Sequence, residues 1–228
     1  FINQARITFN TGCAISGTGY FVSDALLRSR NGWRWHLLTE DIQFSADCAC
    51  RGVRISYSPN AVIYDEQPFS VKDSWNQRFR WSKGFYQVFW KYGWKLLKGI
   101  FTNPKGKKFV CFDMLMTISP GMLVSIIAFF FDFIVFILCI SGVIPAQDFI
   151  LTCFFSCLWC VVYFFAIMFI FGVVTMFSEN KNIHMSRAKK VICVFTFPFF
   201  MGLYIPISLS ALFRKGNWKP IKHTISVD

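Results

Sequence analysis

Residues 113–140, DMLMTISPGMLVSIIAFFFDFIVFILCI, decide the fold of the second half of this chain. The stretch is longer than the roughly 20 apolar residues that a helix needs to cross a lipid bilayer. A second apolar stretch, residues 149–177, also exceeds that length. Pro120 and Gly121 predict a kink or a break near the beginning of the first stretch. Together the two stretches predict a pair of membrane-spanning helices.

The charges around these stretches predict their orientation. The connecting residues 141–148 contain no Lys or Arg, whereas residues 95–108 and 181–190 are rich in both. Because Lys and Arg accumulate on the cytoplasmic side of a membrane, we predict a hairpin with a short outside loop and both ends in the cytoplasm. The sequence thus indicates a multi-pass cell-membrane protein whose residues before position 109 are cytoplasmic. Asp132, inside the first span, is expected to face protein or a polar path.

A third apolar run, residues 191–213, has two interpretations. It is long enough to span, but Pro198 and Pro206 are expected to break its helical hydrogen bonds. A spanning helix would place the basic tail, residues 214–228, outside the cell, against the charge rule. A re-entrant or interfacial segment keeps the tail in the cytoplasm, and we favour this second interpretation.

The composition fits a membrane protein and argues against two other classes. Of the 228 residues 54% are hydrophobic, and the net charge is +12. Since the positive charge lies beside the apolar segments, it favours contact with anionic lipid headgroups over nucleic acid, and no nucleic-acid partner is expected. The nine cysteines show no paired spacing typical of a zinc site. We interpret them as free thiols, and no metal ligands are predicted.

Residues 1–69 alternate between strand and helix patterns. Helices are predicted after Ser23 and from Leu37–Asp41 to Arg51–Gly52. The alternation predicts an α/β domain, followed by an α-helical transmembrane region over residues 109–213. Strands are predicted at Ile7–Phe9, Ala14–Ile15, Val53–Tyr57 and Ala61–Tyr64.

Residues 70–108 are predicted to form an amphipathic helical region at the membrane surface, because aromatic residues recur at helical spacing among lysines. Within it, Gln77, Arg80 and Trp81 share one helix face. An arginine can bind a diphosphate through paired hydrogen bonds, and an indole ring offers a flat surface to a sugar. An ordinary amphipathic helix with basic and aromatic residues is the alternative explanation.

A second motif, Thr39-Glu40-Asp41, lies at the beginning of a predicted helix. A carboxylate beside an acceptor hydroxyl can take its proton as a bond forms at that oxygen. Acids in a first helical turn also stabilise the helix dipole. For this motif alone, the second explanation is favoured.

Together, Thr39-Glu40-Asp41, the later Gln77-x-x-Arg80-Trp81 and the membrane segments that follow resemble the processive family 2 glycosyltransferases. These include cellulose, chitin, hyaluronan and poly-N-acetylglucosamine synthases. Ser16–Gly19 is similar to the small-residue loop that precedes their acidic motif. The resemblance implies that residues 1–69 are the acceptor half of a GT-A-type catalytic domain. It also implies transfer from a UDP-sugar, with UDP-N-acetylglucosamine as the best candidate, to a polysaccharide.

The resemblance also implies roles for particular residues. Asp41 would be the general base of an inverting transfer, with Thr39 and Glu40 shaping its surroundings. The donor diphosphate and the terminal sugar of the acceptor would be bound by the second motif, and small residues would line the acceptor site. These substrate-binding residues are Gln77, Arg78, Arg80, Trp81, Gly17, Thr18 and Gly19.

The chain departs from the family pattern in one respect. It contains no Asp-x-Asp motif, so the ligands of the Mg or Mn ion that the family implies are expected outside it. The chain is expected to be a carboxy-terminal fragment, inactive alone. Trp218 and His223 in the tail either cover the donor or anchor the tail at the interface.

Three functions compete. The first is a processive synthase that extends a β-linked polysaccharide. The second is a non-processive transferase that adds one sugar to a lipid acceptor, as ceramide glucosyltransferases do. The third is a non-catalytic membrane component in which the motifs are coincidental. The sequence favours the first.

Overall fold

The computed structural model describes residues 2–9, 11–63, 65–68, 70–104, 107–143 and 145–214. Within these ranges every regular element is a helix. The helices are α1 Ile2–Thr8, α2 Asp24–Arg28, α3 Glu40–Arg51, α4 Val71–Thr102, α5 Lys107–Ile118, α6 Pro120–Ile140, α7 Ala146–Ser178, α8 Arg187–Gly202 and α9 Tyr204–Phe213.

The predicted α/β fold, and with it the GT-A-type assignment of residues 1–69, is wrong for the described residues, which contain no strand. Ile7 and Thr8 belong to helix α1. The segments around Ala14 and from Val53 to Tyr57 are irregular, and the amide of Cys13 donates to the carbonyl of Ile55 at 3.0 Å. A strand is defined by a ladder of such bonds to a neighbour. An alternating pattern alone therefore does not make one.

The predicted helices of this region are confirmed by their caps. The hydroxyl of Ser23 accepts from the amide of Leu26 at the beginning of α2. Helix α3 ends at Gly52, whose φ of 70° is the left-handed conformation typical of a helix C-terminus. At the beginning of α4, the hydroxyl of Ser70 accepts from the amide of Asp73 at 3.0 Å.

The chain forms two compact units: Phe1–Gly121 with Ile207–Asp228, and Met122–Pro206. In the first unit, α3, α4 and α5 pack on one another. An aromatic cluster lies beside them, in which the rings of Trp33 and Phe44 stack with centroids 5.8 Å apart. The core of α4 and α5 includes Val88, Leu96, Cys111 and Met114, all nearly inaccessible to solvent.

The second unit contains most of α6 and all of α7 and α8. Helices α7 and α8 pack through aromatic pairs, including Phe165 with Phe199, while most of the large apolar side chains of α7 are exposed. The stretches Gln147–Ser178 and Arg187–Phe213 are long and apolar enough to cross a membrane. By length and composition these two stretches indicate membrane association.

Prolines act differently at three positions. Ser119 is not helical, so α5 and α6 are separate and the predicted break before Pro120 is confirmed. By contrast, α8 continues through Pro198, where a break was expected. Pro206 lies in the first turn of α9, where its missing N–H has no intrahelical partner to lose. Asp132 is exposed on α6.

Candidate active site

Asp41 lies in the first turn of α3, against the loop formed by residues 16–19. Its Oδ1 accepts from the amide of Ile42 at 2.8 Å. A Cβ atom added to Gly17 would lie 3.2 Å from the other carboxylate oxygen, Oδ2. Gly17 also has a φ of 88°, which favours glycine. The absence of a side chain there leaves one flank of the carboxylate open to a ligand.

Ser45 holds this loop in register with α3. Its hydroxyl donates to the carbonyl of Asp41 at 2.8 Å and accepts from the amide of Ile15 at 2.9 Å. Ser45 is almost completely buried, so both bonds are shielded from water. The two bonds fix where the chain enters the 16–19 loop relative to the Asp41 backbone.

The environment of Asp41 makes it a stronger base than an ordinary carboxylate. Burial raises its pKa, and the neighbouring negative charge of Glu40 raises it further. The amide of Ile42 and the charge of Arg80 act in the opposite direction but do not cancel the effect. Burial and the negative charges of Glu40 and Asp41 also raise the pKa of Tyr20. The Tyr20 hydroxyl therefore lies close enough to these two carboxylates to interact with their charges.

The second motif lies on α4, which packs against α3. Gln77, Arg80 and Trp81 are half-buried and share one face by helical spacing. The charge of Arg80 influences the pKa of Asp41, so the structure brings these two predicted residues together. Arg78 is buried and projects from another side of the helix.

Two residues of α4 that the sequence interpretation missed contact the residues immediately before α3. A Cβ atom on Gly84 would lie 2.5 Å from the side chain of Thr39, the N-cap of α3, so α4 meets the beginning of α3 without room for a methyl group. The amide of Leu38 donates to Oε1 of Gln87 at 3.3 Å. Gly84 and Gln87 continue the face of Gln77 and Arg80 at helical spacing, a signal that was present in the sequence.

The remaining predicted site residues are distributed as follows. Thr39 is buried and its hydroxyl has no hydrogen-bond partner among the described residues. Glu40 is half-buried, and Thr18 and Gly19 are exposed in the loop. Trp218 and His223 lie outside the described residues. Within the described ranges, no three His, Cys, Asp or Glu side chains are grouped as metal ligands.

The chain matches known proteins in two comparisons. The family model for glycosyl transferase family group 2 matches residues 3–205. Poly-beta-1,6-N-acetyl-D-glucosamine synthase of Staphylococcus aureus (strain COL) is 35% identical over 77 residues, which are 34% of this chain and 17% of that protein. The probable glycosyltransferase YdaM of Bacillus subtilis (strain 168) is 28% identical over 78 residues, which are 34% of this chain and 19% of that protein.

The aligned parts thus span less than a fifth of the length of these curated relatives. No solved structure matches the chain significantly. The family model, however, covers most of the sequence, including both motifs and the apolar helices. The chain therefore belongs to glycosyl transferase family group 2.

Proposed function

We propose that the protein is a membrane-bound inverting glycosyltransferase that extends a β-linked polysaccharide from a UDP-sugar, with UDP-N-acetylglucosamine as the donor. The observation that carries the proposal is the position of Asp41: its carboxylate lies beside the open flank at Gly17 and within the electrostatic reach of Arg80. The name of the Staphylococcus aureus relative, a poly-beta-1,6-N-acetyl-D-glucosamine synthase, supports the choice of sugar and product.

In the proposed reaction, Asp41 removes the proton from an acceptor hydroxyl as that oxygen attacks the anomeric carbon of the donor. The bond between the sugar and the diphosphate breaks, and UDP leaves with the electron pair. A raised pKa suits this role, because a base is most effective when its pKa approaches the working pH. Direct displacement by the acceptor oxygen, with Asp41 only taking its proton, inverts the anomeric carbon without the covalent intermediate of a retaining mechanism.

The α4 face assists the departure of UDP and holds the acceptor. The guanidinium of Arg80 can form two parallel hydrogen bonds to the diphosphate and balance its charge. Trp81, half-buried beside it, presents an aromatic surface for the terminal sugar of the acceptor. Gln77, one turn earlier, can donate to a hydroxyl or a phosphate oxygen.

Members of this family generally use a divalent cation. The described residues do not offer a donor set for one, since no group of three metal-ligating side chains occurs among them. We therefore assign no step of the reaction to residues of this chain acting on a metal ion.

We further propose that the catalytic part faces the cytoplasm. Lys181, Lys189 and Lys190 follow the α7 span, and Lys107 and Lys108 precede α6. The connection between α6 and α7 contains neither Lys nor Arg. This asymmetry supports a cytoplasmic location of both flanks.

The test is incorporation of radiolabelled sugar by membranes that contain the full-length protein, with several UDP-sugars supplied in turn. We expect UDP-N-acetylglucosamine to be incorporated into long chains, and Asp41→Asn and Trp81→Ala to abolish incorporation at unchanged protein levels. Retained transfer in both variants would refute the catalytic assignment. A product that ends after one sugar on a lipid would instead establish the non-processive alternative.

A further inference from the structure

Helix α9 packs against α4 immediately after the Arg80-Trp81 pair. The hydroxyls of Ser82 and Ser208 are 3.3 Å apart. The ammonium group of Lys83 donates to the carbonyl of Ala211 at 2.9 Å, and the hydroxyl of Tyr86 donates to the carbonyl of Ser208 at 3.4 Å. Three α4 side chains within one and a half turns thus bind one short helix that lies more than 120 residues later in the sequence.

These contacts are partly shielded from solvent. Ser82 is 8% exposed, and Ile207 and Ala211 on the facing side of α9 are almost completely buried. Ala211 lies in the last turn of α9, where carbonyl groups lack intrahelical donors and carry partial negative charge. The Lys83 ammonium satisfies one of these carbonyls and complements that charge. Lys83 therefore caps the carboxyl end of α9.

The α9 contact begins at the edge of the α4 face that carries the candidate active site. With 100° between successive residues, Ser82 and Tyr86 project away from the face of Gln77, Arg80 and Gly84. Lys83 lies about 60° around the helix from Arg80, three residues after it. Gly84 on that face is in close contact with Thr39, the N-cap of α3. Helix α4 is consequently held near its motif by two different contacts, one with the beginning of α3 and one with α9.

We infer that Lys83 and Ser208 are positioning residues for glycosyl transfer, which hold Arg80 and Trp81 at the place where the donor and acceptor are bound. The inference rests on the proposed function and adds to it a dependence on α9. Since displacement of a catalytic group by about 1 Å can cost on the order of a hundredfold in rate, loosening this contact should impair transfer without removing any group that touches substrate.

The test compares Lys83→Met, Lys83→Arg and Ser208→Ala in the full-length protein, in membranes, with kcat and KM for the donor normalised to the amount of folded protein. We expect Lys83→Met to lower kcat/KM by about tenfold or more, in the range typical of displaced catalytic groups, and Ser208→Ala to lower it less. Lys83→Arg should restore most of the activity, because its guanidinium also donates to the Ala211 carbonyl. Lys72→Met, an exposed lysine in the first turn of α4, is the matched control.

A purely structural contact would lower the amount or the melting temperature of the protein but leave kcat and KM per folded molecule unchanged, and this result would overturn the inference. Should Lys83→Met fail to fold, Ser208→Ala together with Tyr86→Phe decides the question in the same assay. Loss of transfer in Asp41→Asn but not in these variants would refute the positioning role alone. Retained transfer in Asp41→Asn would refute the proposed function itself.

Discussion

At the scale of single residues, the balance of charges around Asp41 determines its behaviour as a base. Burial and Glu40 raise its pKa, and Arg80 lowers it. Removing the Arg80 charge should therefore raise the pKa further. Because the base acts in its ionised form, the acidic limb of the pH profile of kcat/KM should move to higher pH in Arg80→Gln.

The measurement is a normalised pH profile for the wild type, Arg80→Gln and Arg80→Lys. The lysine variant keeps the charge and should keep the position of the acidic limb, although its rate falls with the loss of the paired hydrogen bonds. An acidic limb at the wild-type pH in Arg80→Gln would show that another group is the base.

The same raised pKa predicts a stability effect of Asp41→Asn. A carboxyl group whose pKa is higher in the folded than in the unfolded state favours folding when protonated. That contribution is present at low pH and is lost as the pH rises through the folded-state pKa. At pH 7 the charged Asp41 is thus a cost to stability, which the neutral Asn removes.

We therefore expect Asp41→Asn to melt at a higher temperature than the wild type at pH 7, with the difference shrinking as the pH is lowered. Its transfer rate should fall by about 10²–10⁴-fold, the usual contribution of a general base. Thermal unfolding in detergent across this pH range is the measurement. A variant that is less stable at pH 7 would contradict the burial of a charged Asp41.

Some site residues were predictable from the sequence and others were not. Asp41, Arg80 and Trp81 belong to motifs whose chemistry is visible in the residue types. Ser45 and Gln87 bind only backbone atoms of the α3 region and the loop before it, and such bonds leave no pattern in a single sequence. Their partners become known only when the helices are packed.

At the scale of elements, the helices were predictable, whereas the predicted strands do not form among the described residues. Helix caps such as Ser70 and Gly52 act within one turn, so the sequence around them suffices. A strand needs a partner that is distant in the sequence. The segments at Ala14–Ile15 and Val53–Tyr57 have strand-like patterns but no ladder among the described residues, and the α/β prediction failed at this point.

The close contact between α3 and α4 predicts the effect of Gly84→Ala. A methyl group there would lie 2.5 Å from atoms of Thr39, so one of the helices must shift. Alanine in a helix otherwise gains about 1 kcal/mol over glycine, whereas overpacking costs about 1–3 kcal/mol. We expect a net loss of stability and a larger loss of transfer, because the shift separates Asp41 from Arg80.

Gly93→Ala is the matched control in the same helix, since the nearest neighbour of its methyl group would be the Phe89 side chain, at 3.2 Å. In a Thr39→Ala background the destabilisation by Gly84→Ala should shrink, because the opposing side-chain atoms are gone. Thermal melting of the four variants of this double-mutant cycle tests the contact directly. Equal effects of Gly84→Ala in both backgrounds would place the strain elsewhere.

The second half of α4 predicts contact with a lipid surface. Trp90, Trp94 and Phe101 are each more than 70% exposed and form one stripe by helical spacing, opposite the buried Val88 and Tyr92. Three exposed lysines flank the stripe on one side. Aromatic stripes beside lysines are typical of helices at a membrane interface. The flanking lysines are Lys91, Lys95 and Lys98.

Fluorescence quenching tests this contact. In vesicles that contain lipids brominated near the headgroup, tryptophan emission of the wild type should be quenched, and the Trp90→Phe/Trp94→Phe variant should lose much of the quenchable signal. Trp159 on α7 provides an internal comparison, because lipids brominated deep in the acyl chains should quench it in both proteins. Unchanged shallow quenching in the double variant would exclude the stripe from the interface.

At the scale of the whole molecule, the sequence and the structure agree on where the apolar helices lie, although the sequence interpretation favoured a re-entrant third run. Helix α8 continues through Pro198, but the run is interrupted at Leu203, between α8 and α9 and three residues before Pro206. A proline ring can be accommodated inside an apolar helix or in its first turn, a local detail that the residue type alone does not reveal. The run from Arg187 to Phe213 has the length and composition of a span, and whether it spans or re-enters stays a prediction.

These dimensions predict that the protein is anchored as an integral membrane protein. Gln147–Ser178 has 32 residues, a helix of about 48 Å at 1.5 Å per residue, which exceeds the roughly 30 Å hydrocarbon core of a bilayer. Lysine contacts at the surface weaken in salt, but burial of such a helix in lipid does not. Membranes washed with high salt or alkaline carbonate should thus retain the protein, as should the Trp90→Phe/Trp94→Phe variant. Release of the wild type by either wash would mean that electrostatic surface contacts, rather than α7 and the Arg187–Phe213 run, hold the protein on the membrane.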